Sequence, residues 1–198
     1  MKKYYLLLIL IWLISTRGRS QDFTKDLSAA KASYASGKLA DAHFSLEQAI
    51  QELDMIVGKE ILEILPKDCN GIPAVENMDQ VAANVGFVGA TVHRQYGQNG
   101  SQVEIISNSP MIATLNSFLN MPLLGGMMRN STTKVVKVNG YKSRLEKDGQ
   151  NADGSSNYTL QIPLKSALIT ITAKGTDESK ILSFANTISI DKIAALIQ

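Results

Sequence analysis

The sequence predicts an α+β protein: an N-terminal helical hairpin, then an antiparallel sheet of about six strands covered on one face by helices. Three observations predict it. Apolar residues recur at helical spacing up to Pro66, short runs of alternating apolar and polar residues follow it, and Asn-Gly and similar pairs join those runs. The composition agrees, with 44% hydrophobic and 19% charged residues, 14 Gly and 5 Pro in 198. Such a balance argues against a collagen, a disordered chain and a disulfide scaffold.

Residues 1–20 have the layout of a secretory signal peptide: Lys2 and Lys3, an apolar run over 4–14, then a polar stretch ending in small residues. The apolar run is shorter than the roughly 20 residues needed to cross a bilayer. Gly18 and Ser20 take the −3 and −1 positions if cleavage precedes Gln21. The expected location is therefore the periplasm or the exterior of a bacterial cell, with no membrane span once the signal is removed. The first twenty residues hold Lys2, Lys3, Arg17 and Arg19 and no acid, so the formal charge of +2 becomes slightly negative in the mature chain. That balance gives no electrostatic footprint for nucleic acid. Cys69 is the one cysteine, so no intramolecular disulfide can form and stability must come from burial. It is expected either as half-buried structure or as a site of intermolecular pairing.

The hairpin is expected over 21–66. Phe23, Leu27, Ala30 and Tyr34 fall on one helix face, and Gly37 ends that helix as a left-handed residue would. A second helix is expected over 39–65, with Ala42, Leu46, Ala49, Leu53, Ile56, Ile61 and Ile64 near a period of 3.6, and Pro66 stops it. Gly37, Leu39, Ala42, Leu46, Ala49 and Ile50 resemble the middle of one tetratricopeptide motif, but Asp54 stands where that motif places proline and no second copy follows. An isolated hairpin is the expectation.

The α+β domain is expected over 67–198. Strands are predicted over 87–96 and 102–107 around the turn Gln98-Asn99-Gly100-Ser101, and a helix over 109–119 with Ser109 as N-cap and Pro110 in the first turn. A second hairpin joins 134–138 to 141–147 through Asn139-Gly140. Strands over 158–162 and 167–173 and helices over 178–185 and 191–197 complete the chain.

The strings EILPKD, GATVHRQY, VEIISNSPMI, LNMPLLGG, KVNGYKSRLEKD and ALITITAKG resemble a family of uncharacterised exported bacterial proteins in which a helical hairpin precedes a sheet domain. The order of strands and helices is also similar to the Mog1/PsbP-type fold. That fold hosts non-catalytic binding and assembly roles, and neither resemblance carries an active site.

Chemical motifs are sparse. His43 and His93 have no metal-ligand spacing to another His, a Cys or a carboxylate. No GxSxG elbow is present, and the glycines at 86–89 and 123–126 lack the lysine of a phosphate loop. The adjacent acids Asp177 and Glu178 suit a helix start. The sequons at Asn99, Asn130 and Asn157 read as chance in a bacterial protein. No cofactor is called for. One segment stands out, residues 118–130, where Met121, Leu123, Leu124, Met127 and Met128 surround Pro122 and two glycines. These residues are expected either to close over the core as a lid or to form an exposed contact surface, and a methionine copper site is a third reading. The expected role is that of a non-enzymatic envelope protein that binds a protein or lipid through its hairpin, this segment, or both. Carriage of a small apolar ligand and an unrecognised hydrolase are the alternatives.

Overall fold

The computed structural model describes residues 18–84, 89–98, 100–121 and 132–197. The apolar run of the signal, the turn residue Asn99 and the Met-Leu segment from residue 122 onward lie outside them. The chain divides into two compact units, 1–53 and 54–198.

The first unit holds helix α1 (Gly18–Ala35) and most of α2 (Leu39–Ile64). The link between them follows from one residue. Gly37 adopts φ +75°, its N–H donates to Tyr34 O at 3.0 Å, and Lys38 N–H donates to Ser33 O at 2.9 Å. This is the paired bonding of a Schellman cap, which needs a residue without a Cβ penalty in the left-handed region. Ala30, Ala42 and Ala49 are buried.

The second compact unit begins inside α2, at Asp54. The reason is packing: Gly58 lies against Val81 and Ala90, and Ile61 and Leu65 enter the core of the sheet domain. The unit continues with the two-residue strands β1 (Asp68–Cys69) and β2 (Ile72–Pro73), a 3-10 turn Glu76–Met78, and β3 (Gln80–Ala83). Strands β4 (Ala90–Gln95) and β5 (Gln102–Ser107) follow, then α3 (Met111–Asn120). A meander of β6 (Thr133–Val138), β7 (Tyr141–Gln150), β8 (Ser156–Pro163) and β9 (Ala167–Thr176) leads to α4 (Glu178–Thr187) and α5 (Ile190–Leu196).

The α+β class holds, with seven strands in the main sheet where six are expected. Their order is β3-β4-β5-β9-β8-β7-β6 and every pair is antiparallel. Strand β9 returns to pair with β5 and so joins the two halves. One face carries Val92, Val103, Ile105, Leu160, Ile169 and Ile171, packed with Ile61 of α2, Leu65 just after it, and Ile181, Phe184 and Ile193 of α4 and α5. The opposite face is not bare. Helix α3 buries Leu115 and Leu119 there against Leu168, and Phe118 lies 5.6 Å from the Arg144 guanidinium. The expectation of helices on one face therefore fails at α3. The apolar Leu168 faces away from Ile169 by strand alternation and needs its own cover.

Candidate functional site

The hairpin's two kinds of apolar position behave differently. On α2 the small residues Ala42 and Ala49 are buried, whereas Leu39, Leu46, Ile50 and Leu53 are 65%, 45%, 40% and 46% exposed. Their spacings of seven, four and three put these four on one stripe beside the alanine seam. On α1, Ala30 is the buried member of the expected face, while Leu27 and Tyr34 stand exposed. A helix needs an apolar face mainly for tertiary packing. Here the large apolar groups are left to solvent, and the small ones are covered.

Of the Met-Leu segment, Met121 is exposed at the end of α3, where its N–H points to Phe118 O at 3.4 Å. Leu123, Leu124, Met127 and Met128 lie outside the described residues. His43 is exposed on α2, 3.5 Å from Glu47 one turn on, as the helical spacing dictates. His93 lies on the polar side of β4, across from Glu104 on β5 and Gln80 on β3. Its Nε2 is 3.4 Å from Gln102 Oε1, and its Nδ1 is buried without a partner among the described residues. Among those residues, no three of His, Cys, Asp and Glu gather to hold a metal ion. No described helix is long and apolar enough to cross a membrane.

Cys69 is buried beneath the sheet as a free thiol, and burial pushes its pKa up, against a smaller opposing effect of Ser101. Burial likewise raises the Tyr96 phenol, which donates to Pro66 O at 2.9 Å and meets the Phe184 ring edge-on at 5.1 Å. Asp177 caps α4 by accepting Lys180 N–H at 2.9 Å, so one of the two adjacent acids serves the helix start. The other, Glu178, takes the Lys134 ammonium at 2.6 Å.

Two arrangements go unread in the sequence. The first is a buried ion pair between Arg94 and Asp79. Its signal is faint: Arg94 alternates with Val92 and Tyr96 on the inward side of β4, where a charge needs a partner. The second is a cleft of about 250 Å³ lined by Thr132, Lys134, Leu145, Lys147, Tyr158 and Glu178. Only strand register reveals it, because it pairs Lys134 with Leu145 and Lys147 with Tyr158. The Glu178 carboxylate raises the Lys134 amine above the usual lysine range, and the Tyr158 phenol adds to the effect.

No family model, curated protein or solved structure matches the chain.

Proposed function

We propose that the chain is an exported, non-enzymatic envelope protein that binds another envelope component, a protein or a lipid surface, through its helical hairpin. The exposed stripe Leu39, Leu46, Ile50 and Leu53 carries this reading. An apolar row at i, i+4 and i+7 is the pattern by which helices dock into grooves or onto apolar surfaces. Large exposed apolar groups that lie together mark contact surfaces, whereas single ones do not. The signal-like residues 1–20 supply the compartment, and the resemblance to exported bacterial proteins belongs to the same proposal. Met121, exposed beyond α3, is the described member of a second contact region.

The test is affinity capture from envelope extract, with proteins and lipids identified together, using the wild-type chain and the Leu46→Ser/Ile50→Ser variant. The variant is expected to lose the captured component while keeping its thermal melting temperature. Equal capture by both chains overturns the hairpin as the contact surface.

A further inference from the structure

We propose that the outer edge of β6 is a docking site for an extended acidic segment of a partner protein, which adds a strand to the sheet. The main chain supplies the first argument. Strand β6 ends the strand order and pairs only with β7, in an unbroken register. Lys147 N–H donates to Thr132 O at 2.7 Å, and bonded pairs alternate with non-bonded ones along an antiparallel ladder. Lys134, Val136 and Val138 are therefore bonded to β7, whereas Val135 across from Arg144 and Lys137 across from Lys142 are not. The N–H and C=O groups of Val135 and Lys137 thus point away from β7, where they meet no partner among the described residues.

Charge says what fits there. Strand β6 carries Lys134 and Lys137 and no acid, and Glu178 takes Lys134. Lys137 is exposed and stands directly across from exposed Lys142, in the non-bonded pairing that brings Cα atoms to about 4.5 Å. Like charges so placed destabilise a sheet. Lys142 reaches the neutral acceptor Asn120 Oδ1 at 3.3 Å, and neither lysine meets a carboxylate among the described residues. A carboxylate on an added strand, across from Lys137, supplies the missing counter-charge. Val135, 37% exposed on the same face, calls for an apolar residue two positions along that strand. Lysines on an edge deter neutral and basic strands, and two copies of β6 would bring their lysines together, so the charge selects an acidic segment over a second copy. Main-chain bonds give such docking its affinity and alternate side chains its specificity. The proposal does not depend on the hairpin.

The test is an NMR titration of the purified chain with the hexapeptide acetyl-Thr-Glu-Val-Val-Thr-Thr-amide. In antiparallel register its Glu falls across from Lys137 and its second Val across from Val135. The control is acetyl-Thr-Lys-Val-Val-Thr-Thr-amide. Saturable shifts and slowed solvent exchange of the Val135 and Lys137 amides are expected with the acidic peptide, and weaker binding of the control. Lys137→Glu should weaken the acidic peptide about fivefold and tighten the control, because it turns an opposite-charge cross-strand pair into a like-charge one. Val135→Pro removes an outward donor and leaves the bonded pairs with β7 in place, so it should abolish binding of the acidic peptide. If that variant unfolds, Lys137→Glu decides. Shifts that never saturate, equal binding of the two peptides, or binding of the acidic one without slowed exchange at Val135 and Lys137 overturn the proposal. So does slowed exchange at these amides that grows with protein concentration in the absence of peptide, which would assign the edge to a second copy.

Discussion

Arg94 grips Asp79 through two nitrogens, Nη2 to Oδ2 at 2.6 Å and Nε to Oδ1 at 3.0 Å, with both side chains less than a tenth exposed. The same guanidinium donates from Nη1 to Leu65 O at 3.1 Å. It thereby ties the end of α2 to the strand that follows the 3-10 turn. Removing one partner strands a buried charge, so Asp79→Ala should destabilise the sheet domain by about 3–5 kcal/mol. The paired change Asp79→Leu/Arg94→Met should recover much of that loss. Urea denaturation of the three chains checks it, and a double variant no better than the single one would show that the pair stabilises beyond its own desolvation.

Gly58 offers a test of how closely α2 meets the sheet. In an exposed helix, Gly→Ala stabilises by about 1 kcal/mol. At Gly58 the added Cβ would overlap Val81 Cγ1 and press on Ala90 Cβ at 3.1 Å. Gly58→Ala should therefore reverse the sign and cost about 1–3 kcal/mol through overpacking. A more stable variant in thermal denaturation would mean that α2 stands farther from β3 and β4.

Asp177 sets a pH dependence. Its carboxylate accepts the Lys180 N–H and then the Ser179 hydroxyl, which lowers its pKa below the usual aspartate range. A depressed folded-state pKa contributes stability that is present above the unfolded value of about 3.9 and is lost as pH falls through the folded one. Asp177→Asn keeps a capping oxygen but removes the titration. The wild-type advantage over this variant should be constant above about pH 5 and shrink below it. An advantage independent of pH down to acid unfolding would contradict this account of the cap.

Local chemistry made much of the fold legible. Asn139 and Gly140 take φ 47° and 87°, as a two-residue hairpin turn requires, and β6 and β7 flank them in the expected register. What escaped was set by distant partners. Gln80-Val81-Ala82-Ala83 is weak strand sequence because alanine has little side chain to pack, and it becomes an edge strand only by pairing with β4. Pro110 takes the N-cap position of α3, while Ser109 Oγ accepts Met111 N–H at 3.4 Å, a one-residue shift from the expected cap. The seam residues Ala42 and Ala49 could be read from periodicity. The exposure of Leu46 and Ile50 beside them could not, since the same spacing describes a buried stripe.

Photo-crosslinking in the intact envelope tests the central claim most directly. A photoreactive residue is placed singly at positions 46 and 50 on the exposed stripe and at exposed Ser183 on α4. Positions 46 and 50 are predicted to capture one and the same envelope component, and position 183 is predicted not to capture it. The claim is contradicted if 46 and 50 give no crosslink above that at 183.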